Sequence, residues 1–201
     1  MGDSIQSRYF LNNCRQRYCS ATFSRSGKSG VAIYYGIKLF ICYNQRMEYY
    51  YRTQTPFGKM VLSEKDGALA ELSFDEGKYR GEQKETPLLR AAAQQLSGYF
   101  SGQRIDFDLP LNPIGTEFQK AVWDALLNIP FGETKSYAQV AAEVGNDKAA
   151  RAVGGAVGKN PIPIIIPCHR VLAANNKIGG FSLGLDMKRK LLGIEGISVD
   201  S

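Results

Sequence analysis

The sequence Pro161-Ile162-Pro163-Ile164-Ile165-Ile166-Pro167-Cys168-His169-Arg170-Val171 ends an apolar run with a cysteine and with the only histidine of the chain. The three β-branched isoleucines between two prolines predict a short buried strand or extended segment, because proline cannot extend a ladder. The cysteine would then stand at the end of a stiff element. A cysteine beside an imidazole is a common catalytic nucleophile, so this stretch is the candidate site.

Cys168 and His169 have two interpretations. The first makes Cys168 a small buried hydrophobic residue and His169 a hydrogen-bonded core residue. The second makes His169 the base that activates the thiol. Adjacent side chains on an extended backbone point to opposite sides, so this interaction would need a turn or a bridging water.

The sequence on both sides of this pair matches one family over about the last ninety residues. Ile166–Val171 contains the signature Pro-Cys-His-Arg of the O6-alkylguanine-DNA alkyltransferases, also called methylated-DNA-protein-cysteine methyltransferases, which this chain therefore resembles. The other matching segments are Phe131–Tyr137, Ala149–Ala156, Asn160–Pro161, Gly180–Ser182, Lys188 and Leu191–Gly196.

The resemblance implies two domains. Residues 47–111 would form an α/β domain with a ribonuclease-H-like sheet that supports the second domain and has no chemistry of its own. The residue pattern there predicts strands at Tyr49–Gln54, Gly58–Ser63, Ala68–Phe74 and Ile105–Leu109, a hairpin turn at Lys65–Gly67, and a helix from the cap Thr86 to Phe100.

Residues 112–201 would form a mainly α-helical C-terminal domain. An amphipathic helix is predicted from Thr116 to Asn128. Its expected buried stripe consists of Phe118, Val122, Trp123, Leu126 and Leu127. The segments Ser136–Val144 and Lys148–Gly158 predict two helices joined by a short turn, which is the helix-turn-helix pattern.

The second helix of this pair consists mostly of alanine and glycine, so few side-chain atoms extend beyond its backbone. Gly154 and Gly155 each cost a helix interior about 1 kcal/mol relative to alanine, so we expect them to permit a close approach. The approaching surface is either the first helix of the pair or a groove of DNA.

The resemblance also implies a role for individual residues. Cys168 would be the nucleophile, His169 its base through water, Glu195 the acid that orients the imidazole, and Asn160 the link between recognition helix and active-site segment. DNA would be bound by Tyr137, which helps rotate a nucleotide out, and by Arg151, Ala150 and Gly154, with Arg151 filling the vacated space. The base pocket would consist of Val157, Pro163, Gly180, Phe181, Ser182 and Lys188.

The implied function is DNA repair by a suicide enzyme: a methyl or other alkyl group moves irreversibly from O6 of guanine to Cys168 after minor-groove binding and base flipping. The partner would be double-stranded DNA containing O6-alkylguanine, the protein a monomer, and no diffusible cofactor is needed. Phe181 replaces a frequent tyrosine of relatives, so we expect a hydroxyl contact to be missing. Leu183 replaces a frequent glycine, so we expect a narrower pocket that disfavours bulky O6 adducts such as benzyl. A non-catalytic DNA-binding relative and a cysteine hydrolase are the competing classes.

The net charge of +6 suggests a nucleic-acid partner, but it lies in the first 46 residues. Residues 1–46 contain seven Lys or Arg against one acid, so the remaining chain is neutral and its charge is weak evidence for DNA binding. This basic leader, expected to be poorly ordered, is a transit-type targeting peptide, a DNA-tethering arm, or a segment upstream of the true start at Met47. We favour the third, because the resemblance begins near Met47.

The other three cysteines, Cys14, Cys19 and Cys42, are irregularly spaced and have no histidine nearby, so no metal site is expected. The apolar run Val31–Cys42 is too short to span a membrane and contains Lys38. A reactive, unpaired Cys168 suits a reducing compartment. We therefore expect a cytoplasmic protein without a membrane partner, or a nuclear or organellar one in a eukaryote.

Overall fold

The computed structural model describes residues 48–74 and 81–199. The basic leader, residues 1–46, lies outside the described residues together with Cys14, Cys19 and Cys42. The three interpretations of the leader therefore stay open. No helix within the described residues is long and apolar enough to cross a bilayer.

A four-stranded mixed sheet begins the described chain. Its strands are β1 (Glu48–Thr55), β2 (Gly58–Lys65), β3 (Ala68–Ser73) and β4 (Glu82–Gln83). Their order in the sheet is β3-β2-β1-β4; neighbours in β1 to β3 pair antiparallel, and β4 pairs parallel to β1. Asp66 and Gly67 both have positive φ, as a type I′ hairpin turn requires, so the predicted turn between β2 and β3 is confirmed.

Helix α1 (Pro87–Phe100) covers this sheet. It begins where predicted: the Thr86 hydroxyl accepts from the amide of Leu89 at 3.1 Å, and proline fills the first helical position. Its buried face consists of Leu89, Ala92, Leu96 and Tyr99. Burying each large side chain of this face contributes about 1.5–3 kcal/mol.

The predicted strand Ile105–Leu109 is wrong, because this segment has no regular ladder. The side-chain amide of Gln95 bonds both backbone groups of Asp108, at 2.9 and 3.1 Å, in place of a neighbouring strand. Ile105 is 60% exposed, so the apolar alternation does not mark a buried face. Side-chain bonding from α1 has outcompeted sheet pairing here.

The edge strand β3 is bonded to the second half of the chain. Leu69 exchanges backbone hydrogen bonds with Pro110 and Asn112, both of 2.8 Å, and the amide of Leu72 donates to Pro161 O at 2.9 Å. These bonds cover an edge that would otherwise expose unpaired groups. They also fix Pro161, at the start of the candidate site, against the sheet.

Helix α2 (Glu117–Leu127) begins with a capping box between Thr116 and Gln119. Trp123 is buried, and its indole nitrogen donates to Ala156 O at 3.0 Å, so its expected packing role is confirmed. The expected stripe is wrong at its ends: Phe118 is 39% and Leu127 44% exposed. Both lie in the terminal turns, beyond the packed centre of the helix.

The remaining elements surround the candidate site. They are β5 (Lys135–Ser136), α3 (Tyr137–Glu143), α4 (Ala150–Val157), β6 (Val171–Leu172) and α5 (Leu185–Ile194). Strands β5 and β6 pair in parallel and place the chain after Arg170 beside the start of α3. Helix α4 packs on α2 and α3, and its buried residues are Val153, Ala156 and Val157.

Candidate active site

The candidate nucleophile lies in a short 3-10 helix, Cys168–Arg170, that begins directly after Pro167. The isoleucines before it form a tight turn, so the predicted strand is wrong. Ile164 has a φ of 77°, and the amide of Ile166 donates to Ile162 O at 2.9 Å. A β-branched residue is strained in this left-handed region, and it persists because the turn is fully packed.

Cys168 is a free thiol that is only 1% exposed. Burial raises the pKa of this thiol to about 11, although a hydrogen bond with Asn160 and the nearby Lys188 ammonium oppose the rise. A thiol with such a pKa is protonated at neutral pH. It therefore needs a base at the moment it reacts.

The structure brings together the two residues that the resemblance pairs with this thiol. His169 and Glu195 are both buried, and His169 Nε2 lies 2.8 Å from Glu195 Oε1. Glu195 stands at the C-terminal end of α5, so the position of the carboxylate follows from the packing of that helix against the 3-10 helix.

Three further groups donate to the Glu195 carboxylate, and none of them was predicted. Arg170 Nε lies 2.9 Å from Oε2, the Tyr99 hydroxyl donates to Oε1 at 2.6 Å, and the Gly132 amide donates to Oε2 at 3.2 Å. Arg170 directly follows the Cys-His pair, so its position in the Pro-Cys-His-Arg signature could have indicated that it belongs to the site. Tyr99 is 96 residues from Glu195 and has no local signal.

These donors determine the charges in the site. Burial raises the pKa of Glu195, but hydrogen bonds from His169 and Arg170 outweigh this effect and lower the pKa to about 2. Burial lowers the pKa of His169, although the Glu195 carboxylate opposes it. An ionised carboxylate therefore faces a neutral imidazole. Nε2–H donates to the carboxylate, and Nδ1, which has no partner among the described protein groups, is the acceptor nitrogen.

Asn160 links the end of α4 to the turn before the thiol. Its amide nitrogen donates to Ile166 O at 2.8 Å, and its carbonyl accepts from the amide of Ile162 at 3.0 Å. The side chain is buried, and it acts to lower the pKa of the Cys168 thiol. One side chain thus fixes both ends of the turn that precedes the thiol.

Lys188 is fully buried on α5, and no carboxylate of the described residues forms an ion pair with it. Its ammonium donates to Val171 O at 2.6 Å and to Gly180 O at 3.3 Å. Burial lowers the pKa of Lys188 to about 8, against the attraction of the Cys168 sulfur. Lys188 thus supplies positive potential near the sulfur and tethers the segment around Gly180.

A cavity of about 170 Å³ lies between helix α4 and the loop before α5. It is lined by Tyr137, Gly154, Val157, Gly158, Gly180, Phe181 and Ser182. Six of these were predicted for DNA or the base pocket. Pro163 and Lys188, also predicted for the base pocket, are buried and are not among the lining residues. Gly158 lines the cavity and was missed.

The outer surface of α4 is exposed and nearly without side chains, apart from Arg151. Arg151 and Gly155 are exposed, and Ala150 and Gly154 are half-buried. A Cβ added at Gly155 would meet no atom within 4 Å, and one at Gly154 would lie 3.8 Å from Tyr137. Packing against the neighbouring helix therefore does not require either glycine.

No group of three or more His, Cys, Asp and Glu side chains able to hold a metal ion occurs within residues 48–74 and 81–199. The functional groups of the site fit proton transfer. They are a thiol, a neutral imidazole, and a carboxylate that accepts several hydrogen bonds.

Comparison with known proteins identifies both halves of the described chain. Residues 48–113 match the ribonuclease-like domain of 6-O-methylguanine DNA methyltransferase, and residues 117–197 match its DNA-binding domain. The architecture is therefore a two-domain fold, with a ribonuclease-like N-terminal domain and a C-terminal domain of the DNA-binding type.

The curated relatives are named methylated-DNA–protein-cysteine methyltransferase. The methylated-DNA–protein-cysteine methyltransferase of Methanosarcina acetivorans is 45% identical over 153 residues, which cover 74% of this chain and 98% of the relative. The constitutive enzyme of Bacillus subtilis is 44% identical over 161 residues, covering 76% of this chain and 98% of the relative.

Solved structures agree with this assignment. The Mycobacterium tuberculosis O6-methylguanine methyltransferase has a TM-score of 0.67 at 41% identity, covering 74% of this chain and 93% of that one. A complex of the mycobacterial protein with DNA gives a TM-score of 0.68 at 42% identity, over 73% and 92% of the two chains. The chain therefore belongs to the 6-O-methylguanine DNA methyltransferase family.

Proposed function

We propose that this protein repairs DNA by transferring a methyl or other alkyl group from O6 of guanine to Cys168. The observation that supports this most directly is the Glu195–His169 pair beside a buried thiol, which leaves His169 Nδ1 as a proton acceptor. The names of the relatives and the DNA complex of the mycobacterial protein support the same activity.

The proposed reaction is a single displacement. The Cys168 thiol loses its proton to His169 Nδ1 through one bridging water, and the thiolate attacks the alkyl carbon. The new S–C bond forms as the C–O6 bond breaks, and O6 leaves with the electron pair. The proton finally restores N1–H of guanine, so the imidazole and Glu195 end unchanged.

The product explains why one chain would act once. The reaction leaves a thioether on Cys168, and a thioether is a poor leaving group, so nothing in the site regenerates the thiol.

The raised pKa of the buried thiol keeps it protonated in the free protein. A protonated, enclosed thiol resists alkylation and oxidation by small molecules until a substrate base arrives.

DNA recognition is proposed for α3 and α4, acting as a helix-turn-helix. The minor groove is about 6 Å wide against about 12 Å for the major groove, and the slim exposed surface of α4 suits the narrower one. We assign Ala150 and Gly154 to the groove contact and Arg151 to the space left by the flipped nucleotide. Tyr137 would crowd the phosphate, and it lies at the start of α3 beside the cavity.

The extruded base would occupy the cavity lined by Val157, Gly180, Phe181 and Ser182. We assign Asn160 to positioning of the thiol segment, Lys188 to the rear of the pocket, and Pro163 to the turn that supports it. The protein is proposed to act as a monomer, in the cytoplasm, on duplex DNA with O6-alkylguanine. The proposed domain bounds remain 47–111 and 112–201.

The test is the intact mass of the protein after incubation with excess duplex DNA that contains O6-methylguanine. We expect a gain of one methyl group, about 14 Da, that is lost in Cys168→Ala. DNA binding without a mass change would instead indicate a non-catalytic relative. Continuous turnover of an ester or amide would indicate a hydrolase.

A further inference from the structure

Tyr99 connects the first domain to the candidate active site. It lies in the last turn of α1 and is fully buried. Its hydroxyl donates to Glu195 Oε1 at 2.6 Å and lies 3.2 Å from His169 Nε2. The ribonuclease-like domain thus contributes a polar atom to the chemistry of the other domain.

The Glu195 carboxylate and this hydroxyl together determine which imidazole nitrogen holds the proton. A tyrosine hydroxyl has one proton, and Tyr99 donates it to the ionised Glu195 carboxylate. The lone pairs of the hydroxyl then face His169 Nε2, which also faces Oε1 of the carboxylate. Because the Tyr99 hydroxyl and Glu195 Oε1 both face Nε2 as acceptors, Nε2 holds the imidazole proton. Nδ1 is then the nitrogen that can accept a proton.

Packing alone does not explain a tyrosine at this position. The Tyr99 ring contacts the rings of Phe100, Phe107 and Phe131 at centroid distances of 5.8, 5.5 and 6.3 Å. A phenylalanine would make the same ring contacts without burying a hydroxyl, which is costly unless that hydroxyl is hydrogen-bonded. The hydroxyl is therefore retained for its bonds to Glu195 and His169.

We propose that Tyr99 is a positioning residue for alkyl transfer: its hydroxyl holds the Glu195 carboxylate against His169 Nε2 and shares its charge, which keeps the imidazole neutral and Nδ1 free to accept the thiol proton. This inference rests on the proposed function. It assigns to the first domain a part in the chemistry that the sequence did not indicate.

The effect of removing the hydroxyl follows from the groups that face the imidazole. These are Glu195, Arg170, the more distant Lys188, and Tyr99 itself. In Tyr99→Phe the carboxylate loses one donor and so stabilises a protonated His169 more strongly. We expect the pKa of His169 to rise by roughly one unit, while the carboxylate 2.8 Å from Nε2 still keeps the proton of the neutral imidazole on that nitrogen.

The first measurement uses the single histidine of the chain, whose ring signals are unique in a nitrogen-15 NMR spectrum. In the full-length wild type at neutral pH we expect protonation at Nε2 alone. In Tyr99→Phe we expect the same tautomer, because the Glu195 carboxylate still faces Nε2, but a raised pKa of His169. A wild-type spectrum with the proton on Nδ1 would overturn the inference, even if the variant failed to fold.

The second measurement is the rate of methyl transfer to Cys168 as a function of pH. For Tyr99→Phe we expect the acid limb of the pH profile to move upward by about one pH unit, which makes the rate roughly tenfold lower on that limb. Leu96→Ala destabilises the same helix without removing a polar group, so its rate profile should keep the wild-type shape. If Tyr99→Phe behaves like Leu96→Ala in both measurements, Tyr99 only packs.

The two proposals fail in different ways. If the wild type gains no methyl group, the proposed function is wrong whatever the tautomer of His169. If the wild type is methylated but Tyr99→Phe keeps the wild-type His169 pKa, rate and pH profile, the function stands and the role of Tyr99 is refuted.

Discussion

Replacing Glu195 by glutamine tests how strongly the charge of this carboxylate stabilises the fold. The side chain is fully enclosed and accepts from His169, Arg170, Tyr99 and the amide of Gly132. Glutamine keeps the shape but removes the charge and points an amide group at donors. Arg170, which is also buried, then loses its carboxylate partner.

The expected cost can be worked from the pKa of Glu195. The pKa is about 2 in the folded protein against an ordinary 4.5, a difference of about 2.5 units. At about 1.4 kcal/mol per unit, the ionised carboxylate contributes about 3 kcal/mol to the free energy of unfolding. Because the folded pKa is the lower one, this contribution is complete above pH 4.5 and disappears as the pH falls towards 2.

The assay is urea denaturation of wild type and Glu195→Gln at about pH 7 and about pH 2.5. We expect Glu195→Gln to be about 3 kcal/mol less stable at the higher pH and the difference to shrink at the lower one. Glu143→Gln is the matched control: it breaks the exposed pair with Lys135 and should cost less than about 1 kcal/mol. Equal stability of Glu195→Gln and wild type at pH 7, or a difference independent of pH, would refute the reasoning.

Three further predictions concern the proposed DNA and base contacts. Gly155→Ala should stabilise the protein by up to about 1 kcal/mol in thermal denaturation, because a Cβ there meets no atom, and yet weaken duplex binding in a fluorescence titration; unchanged binding would contradict the groove contact. Arg151→Ala should change the free energy of unfolding by less than about 0.5 kcal/mol but slow transfer from duplex DNA far more than from free O6-methylguanine. Leu183→Gly should raise the rate with O6-benzylguanine relative to O6-methylguanine about tenfold, and a constant ratio would remove the expectation that Leu183 narrows the pocket.

Helices with local start signals could be predicted from the sequence. Thr86 before a proline and Thr116 before Gln119 mark helix starts through atoms only three residues apart, so neighbouring residues contain the information. The hairpin at Asp66 and Gly67 is equally local. The candidate site was predictable for a different reason: its residues lie in a short motif whose resemblance to a family is specific.

Features that depend on distant contacts could not be predicted. The segment Ile105–Leu109 has the alternation of a strand, but Gln95 of another element bonds its backbone instead. The isoleucines before Cys168 have strand propensity, but the chain turns there with Ile164 in a strained conformation. Tyr99 meets Glu195 only after both domains fold, so no pattern near either residue indicates the contact.

The bonds between the two halves limit how this protein can be recombined. An exchange that joined its C-terminal half to an unrelated first domain would keep Cys168, His169 and Glu195. It would lose the bond from Leu72 to Pro161, which anchors the thiol segment, and the hydroxyl of Tyr99. Such a hybrid would contain the Pro-Cys-His-Arg signature but would lack the two contacts from the first domain that position the thiol segment and Glu195. The two halves should therefore be inherited as one unit.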